Sequence, residues 1–144
     1  MIHIIQFYRK KGLFMVAPFL NFYGRCTEAL DLYERVFVTK NKKVQLFGDM
    51  PDIPEKMKSW ILHAEMELEG SLFWFGDCFS PDASIEGTRI TLTVTYPTSE
   101  KVTEVFNKLL DGGSVLIELS PKPYSSMHGC VKDKFGIGWQ ILVG

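Results

Sequence analysis

A histidine and two glutamates alternate along one short stretch of the chain. The segment from His63 to Glu67 places polar side chains at every second position, with Ala64 and Met66 between them. If the segment is a strand, His63, Glu65 and Glu67 project from one face and the apolar residues from the other. The backbones of His63 and Glu65 would then lie roughly 6.5–7 Å apart, close enough for the two side chains to share a metal ion or a proton.

The same pattern has a simpler interpretation. Glu65, Glu67 and Glu69 can form a solvated strand face, with His63 as a structural residue held by hydrogen bonds. A pair of candidate ligands is a weak signal for a metal site. The sequence alone therefore favours the solvated face.

Three further residues are candidates for chemistry. Tyr124 and His128 follow two prolines and could act as a proton donor and acceptor, although an ordinary polar loop is the simpler interpretation. Trp74 stands between Phe73 and Phe75, so alternation points it to the opposite face of a strand. It belongs either to the core or to the aromatic wall of a pocket.

The cysteines predict no covalent framework. Cys26, Cys78 and Cys130 are odd in number and widely spaced, which fits neither a disulfide set nor a CxxC metal motif. Each is predicted to be a small buried apolar residue in a protein of the reducing cytoplasm.

Composition excludes several classes of protein. The 144 residues carry 16 Lys+Arg and 17 Asp+Glu, a net charge of −1, and 46% are hydrophobic. Near-neutral charge argues against a general nucleic-acid binder, and the apolar content argues against a disordered chain. We predict no membrane-spanning segment and no signal peptide. Residues 1–15 are predicted to be an N-terminal appendage, followed by one domain over residues 16–144.

Two similar halves must position the candidate residues. The first half is predicted to hold a strand over 18–23, a helix from Thr27-Glu28, and strands over 44–47, 61–68 and 72–75. Thr27 is predicted to cap this helix. The second is predicted to hold a strand over 90–96, a helix over 99–110, and strands over 115–119, 129–132 and 139–143, with Asp133 and Lys134 shaping the turn before the last strand.

A constant shift of 73 residues superimposes the two halves. It places Tyr23 on Tyr96 and aligns the apolar positions of the two helices. We therefore predict an α+β fold of two tandem βαβββ modules, over about 16–76 and 89–144, joined by a linker at 77–88. Each module covers one face of its sheet with a helix, so two such half-open sheets would enclose a concave cavity for a small molecule.

Several segments resemble a known family. They are 18–24 (PFLNFYG), 28–37 (EALDLYERVF), His63-Ala-Glu, Gly70-Ser71 leading to Asp77, and 131–139 (VKDKFGIGW). Together they resemble the PhnB-like branch of the vicinal oxygen chelate superfamily, which includes glyoxalase I, fosfomycin and bleomycin resistance proteins and extradiol dioxygenases. The resemblance covers about residues 16–143 and implies a glyoxalase-like half-open barrel. The methyltransferase name attached to this branch gains no support from the sequence, which lacks a glycine-rich cofactor loop.

The resemblance also implies a possible divalent metal ion, which this sequence is poorly equipped to hold. The first-strand ligand position falls near Val16 or Ala17, and its counterpart falls near Ile90. The position at which the family has a metal-binding glutamate near the end of a module falls on Gln140, a weaker ligand. The resemblance implies that the Gln140 side chain faces the cavity. We expect no standard metal site; His63, Glu65 and Gln140 are the weak candidates.

These observations predict a PhnB-like protein that binds an unidentified small molecule without the standard metal. The alternative is a metal-dependent lyase, isomerase or transferase. A third and weaker alternative is a structural or regulatory dimer in which the cavity is merely part of the hydrophobic core. We also expect a homodimer, and neither nucleic acid nor a membrane as partner. The candidate ligand-binding residues are His63, Glu65, Trp74, Tyr124, His128 and Gln140.

Overall fold

The computed structural model describes residues 15–144, in two compact units that divide after Ile85. His3 and all but the last residue of the predicted appendage lie outside the described residues. The first unit comprises β1 (Phe19–Phe22), α1 (Cys26–Val36), β2 (Thr39–Leu46), β3 (Ile61–Leu68) and β4 (Ser71–Asp77). The second comprises β5 (Leu92–Tyr96), α2 (Ser99–Leu110), β6 (Ser114–Lys122), β7 (Ser125–Lys132) and β8 (Gly138–Val143).

The two sheets have the same topology. Their strand orders are β1-β4-β3-β2 and β5-β8-β7-β6; the first pair in each is parallel and the others are antiparallel. The shift of 73 places Cys26 on Ser99, the residues at which α1 and α2 begin. The predicted α+β fold of two βαβββ repeats is thus confirmed. Within residues 15–144, neither sheet closes into a barrel.

The helix α1 covers one face of the first sheet. Its buried side chains are Cys26, Ala29, Leu30, Leu32, Tyr33 and Val36. The ring of Tyr33 lies 6.2 Å from that of Phe75, which pairs with Ala64 across β3 and β4. A fully buried side chain of this size contributes roughly 2–3 kcal/mol to folding. Because strand residues alternate between faces, Trp74 and Glu65 lie on the opposite face, which we call the first helix-free face.

The helix α2 packs on the second sheet through a glycine. A Cβ atom at Gly129 would come within 2.6 Å of the Phe106 ring, so α2 could not approach β7 if that residue had a side chain. Gly129 pairs with Ile141 and therefore marks the covered face. His128 and Gln140 are adjacent to these residues along β7 and β8 and lie on the other side, the second helix-free face.

The N-terminus of α1 differs from its prediction. Thr27 lies inside the helix, and Arg25 stands at the N-cap with its guanidinium paired to Glu28. The buried carboxylate of Asp77 takes the capping role instead, because its Oδ1 accepts hydrogen bonds from the backbone N–H groups of Gly24 (2.7 Å) and Cys26 (3.1 Å). Asp77, predicted to begin the linker, is the last residue of β4.

Asp77 also reaches a third element, since its Oδ2 accepts from the N–H of Ile61 at the start of β3, at 2.9 Å. One carboxylate thereby joins the turn before α1, the beginning of β3 and the end of β4. In the second unit the hydroxyl of Thr98 caps α2 locally, by accepting from the N–H of Lys101 at 3.2 Å.

A second aspartate shapes the turn before β8, as predicted. The Oδ1 atom of Asp133 accepts from the N–H groups of Phe135 (2.9 Å) and Ile137 (3.1 Å). Its Oδ2 accepts from the indole N–H of Trp139 at 2.9 Å. Neither helix of the described chain combines the length and apolar character needed to cross a bilayer.

Candidate functional site

A row of four side chains crosses the first helix-free face. The strand register sets Phe19 beside Trp74, Trp74 beside Glu65, and Glu65 beside Lys43. An aromatic half of the row, on β1 and β4, therefore continues into a charged half on β3 and β2. Such a surface offers both stacking and ionic contacts to a small molecule.

Glu65 is the buried centre of this row. Its side chain is only 2% exposed; Oε1 lies 3.5 Å from Lys43 Nζ, and Oε2 accepts a hydrogen bond from the Trp74 indole N–H at 3.2 Å. A carboxylate is costly to bury unless it is paired and hydrogen-bonded, and these partners meet that need. The interpretation of a solvated strand face is therefore wrong for Glu65.

His63 lies next to this row in a partly aromatic setting. The Phe19 ring meets the imidazole edge-on, with centroids 5.5 Å apart, and the Trp74 ring lies 6.1 Å away. Burial lowers the pKa of His63, and the nearby Glu65 carboxylate opposes that shift. The imidazole is therefore neutral at pH 7, with one nitrogen able to donate and the other able to accept.

A cavity of about 420 Å³ opens on the charged side of this face. We call it the Glu65 cavity; it is lined by Asn41, Lys43, Glu65, Glu67, Gly70 and Leu72. The left-handed backbone of Asn41 (φ 56°) lies where the β2–β3 register shifts, and its amide donates to the Glu67 carboxylate. Asparagine tolerates this conformation better than most residues. The bulge is therefore compatible with an asparagine whose amide lies in the cavity wall beside Glu67.

The second helix-free face holds a chain of polar side chains. The Tyr124 hydroxyl lies 2.6 Å from His128 Nδ1, and His128 Nε2 lies 2.6 Å from Gln140 Oε1. Gln140 Nε2 donates to the Thr91 hydroxyl at 3.4 Å. Tyr124 is 65% exposed whereas His128 is 6% exposed, so the chain leads from the surface to a buried imidazole.

The six predicted residues form two groups. The first unit brings His63, Glu65 and Trp74 together, and the second brings Tyr124, His128 and Gln140 together. Sequence reasoning missed Asn41 and Lys43 because the polar run at 40–43 hid the beginning of β2. It also missed Thr91, for which no local pattern gives a signal.

The metal-ligand candidates do not assemble into a donor set. Among residues 15–144, no three His, Cys, Asp or Glu side chains converge as ligands. Glu65 is engaged by Lys43 and Trp74, and the amide of Gln140 is engaged by His128 and Thr91. The residues present therefore do not fit the divalent ion that the resemblance implies.

The cysteines are free thiols. Cys26 and Cys130 are buried, as predicted, and Cys78 is partly exposed. A helix N-terminus normally lowers the pKa of a thiol. At Cys26 the opposite holds, because burial and, secondly, the Asp77 carboxylate raise its pKa. Cys26 is thus a packing residue rather than a nucleophile.

Known proteins match almost the whole described chain. Protein YjdN of Escherichia coli (strain K12) is 26% identical over 139 residues, covering 89% of this chain and 94% of that protein. A solved structure from Bacillus cereus, described as a putative 3-demethylubiquinone-9 3-methyltransferase, PhnB protein, is 26% identical. It superimposes with a TM-score of 0.76 over 90% of this chain and 98% of that one.

Two more solved structures extend the comparison. Protein PA1353 from Pseudomonas aeruginosa is 25% identical, with a TM-score of 0.76 over 91% of this chain and 98% of its own. The fosfomycin resistance protein FosX from Listeria monocytogenes is 10% identical, with a TM-score of 0.61 over 92% and 93%, and shares the fold alone. The model of the family described as 3-demethylubiquinone-9 3-methyltransferase matches residues 15–142. The chain therefore belongs to that family, which confirms the predicted resemblance to PhnB-like proteins.

Proposed function

We propose that this protein binds a small polar molecule in the Glu65 cavity. The observation that carries the proposal is a carboxylate only 2% exposed in the wall of a cavity of about 420 Å³. Concave sites of this size, with a few convergent polar groups, are the usual form of small-molecule sites. Glu65 is held in place from two sides, by Lys43 and by Trp74, so it meets a ligand without reorganising.

The charges of the cavity favour a ligand that carries an amine. Two carboxylates, Glu65 and Glu67, face one ammonium group, that of Lys43. A molecule with a net positive charge balances this lining, while Leu72 offers apolar contact. The Trp74 indole, held by its hydrogen bond to Glu65, supplies an aromatic ring next to the charged half of the row.

A thermal-shift screen of amines, amino acids and small aromatic amine-bearing compounds, followed by calorimetric titration, tests this function. We expect Glu65→Gln to weaken binding of the best compound by about tenfold or more, since a hydrogen bond to a charged group contributes about 1.5–3 kcal/mol. Glu118→Gln is the matched control, because Glu118 is exposed on β6. Equal affinity of the wild type and Glu65→Gln would contradict the assignment.

We further propose that binding requires no metal ion. Elemental analysis of freshly purified, tag-free protein, with and without added Ni, Mn, Zn and Fe, is expected to give far less than one equivalent per chain. A near-stoichiometric metal content that is lost in His63→Ala or Gln140→Ala would instead support the metal-dependent alternative.

A further inference from the structure

The hydrogen-bonded chain on the second helix-free face has a defined direction. Gln140 donates through Nε2 to Thr91, which turns its Oε1 towards His128 as an acceptor. With the Gln140 amide in this orientation, the matching tautomer of His128 carries its proton on Nε2 and donates it to Gln140 Oε1. In the neutral imidazole the other nitrogen, Nδ1, is then an acceptor, and the Tyr124 hydroxyl donates to it.

This order of groups is that of a nucleophile, a base and an orienting residue. In such arrangements the imidazole removes a proton from a hydroxyl group while a third side chain fixes the tautomer and the ring. Both contacts of the imidazole here are 2.6 Å, so the phenol lies within reach for proton transfer and the Gln140 amide lies within reach to orient the ring. The base is 6% exposed and the phenol 65% exposed, so a reagent can reach Tyr124 while the imidazole stays in place.

We propose that Tyr124 is an activated nucleophile towards small activated acyl compounds, with His128 as its base and Gln140 as a positioning residue. All three residues belong to the second unit, whereas the residues that line the Glu65 cavity belong to the first, and the proposal does not rest on the function proposed for that cavity.

The step balances without a co-reactant. Tyr124 Oη forms a bond to the acyl carbon as the bond from that carbon to the leaving oxygen breaks. The phenol proton passes to His128 Nδ1, and the leaving group departs with the electron pair of the broken bond. The imidazolium then returns its proton to the leaving group or to water. The product is an acyl ester of Tyr124.

The test uses p-nitrophenyl acetate with the full chain, and peptide mass spectrometry locates the acetyl groups. Tyr23 is the internal control: it is 44% exposed, and its ring packs edge-on against Trp60. We expect Tyr124 to be acetylated at least about a hundredfold faster than Tyr23, as general base assistance typically provides. In His128→Phe the two rates should become similar. Tyr124→Phe should abolish the fast release of p-nitrophenolate.

Gln140 is tested by two substitutions that separate positioning from folding. Gln140→Glu keeps an acceptor for the imidazole N–H and should retain the fast reaction, whereas Gln140→Met removes it and should slow the reaction about tenfold or more. The proposal is overturned if wild-type Tyr124 reacts no faster than Tyr23, or if Gln140→Met and Gln140→Glu react alike. The Gln140 pair decides the matter even if His128→Phe fails to fold.

Discussion

The two units share one strand order but differ in the side chain that accepts hydrogen bonds at the N-terminus of their helix. In the first unit, Asp77 from β4 accepts from the N–H of Gly24 in the turn before α1, from that of Cys26 at the beginning of α1, and from a third at the beginning of β3. In the second, the neighbouring Thr98 hydroxyl accepts from one N–H group of α2. The unpaired N–H groups at a helix N-terminus thus find their acceptor either in a remote carboxylate that connects several elements or in a local hydroxyl that contacts one helix.

The helix-free faces differ as well. The first carries a buried glutamate held by a lysine and an indole, whereas the second carries a tyrosine, a histidine and a glutamine. The edge strands also diverge, since the shift of 73 sets Lys42 and Lys43 of β2 against Val115 and Leu116 of β6. A repeated fold therefore supports two kinds of surface, and each surface has its own chemistry.

The largest effect that distinguishes the two units is expected at Asp77. Asp77→Ala leaves three backbone N–H groups without their acceptor, two of them buried, and should lower the free energy of unfolding by about 3–4 kcal/mol. Urea unfolding measures this loss. Asp31→Ala, at an exposed position of α1, should change little. A loss at Asp77 no greater than the loss at Thr98 would remove the distinction between remote and local capping.

The charged half of the row, Lys43 and Glu65, is expected to give the next largest effect. Lys43→Met leaves the buried Glu65 carboxylate without its cation and should destabilise the protein by about 1–2 kcal/mol. Lys42→Met is the matched control: Lys42 pairs with Glu34 at the surface, where such a pair contributes less than about 0.5 kcal/mol. Urea unfolding of both variants makes the comparison. Similar losses would show that Glu65 does not depend on its cation.

The local cap in the second unit is expected to contribute less than Asp77 does. Thr98→Ala should cost about 1 kcal/mol, as is usual for the loss of an N-cap side chain. Thr98→Ser, which keeps the acceptor, should recover most of that loss in the same unfolding assay. If serine does not restore stability, the hydroxyl is not the stabilising group.

The smallest effect is a pH dependence that arises from His63. Burial lowers its pKa in the folded state, so the folded protein binds this proton less readily than the unfolded chain does. The stability contributed by the neutral imidazole is present above the unfolded pKa of about 6.5 and is lost as the pH falls through that value towards the folded pKa. Unfolding curves between about pH 5 and 8 should show this decline. In His63→Phe the decline should be weaker; an unchanged slope would assign it to another group.

Local patterns predicted the elements well where hydrophobic periodicity was strong. The bounds of β3 (Ile61–Leu68) and α2 (Ser99–Leu110) agree with their predictions. The beginning of β2 was missed because residues 40–43 are polar on both faces, and an edge strand can bear such a run without losing its backbone pairing.

Contacts between distant residues were beyond these patterns. The capping role of Asp77 depends on β4 returning beside β1, which no local signal encodes. The face shared by His63 and Glu65 followed from strand alternation, but the burial of Glu65 depends on Lys43 from β2 and Trp74 from β4. Tyr124 and His128 were noted as a pair, whereas the contact with Gln140 required the β7–β8 register.

The position of Asp77 also has a consequence for the order of folding. Its partners in the turn before α1 and at the start of α1 lie 53 and 51 residues away, whereas Thr98 and Lys101 are three residues apart. Closing the longer loop costs entropy before the carboxylate can reach the helix. We therefore expect α2 to acquire its cap as the helix nucleates, and α1 to acquire its own only after β4 has docked. Substitution of Asp77 should then mainly speed unfolding, whereas substitution of Thr98 should slow folding.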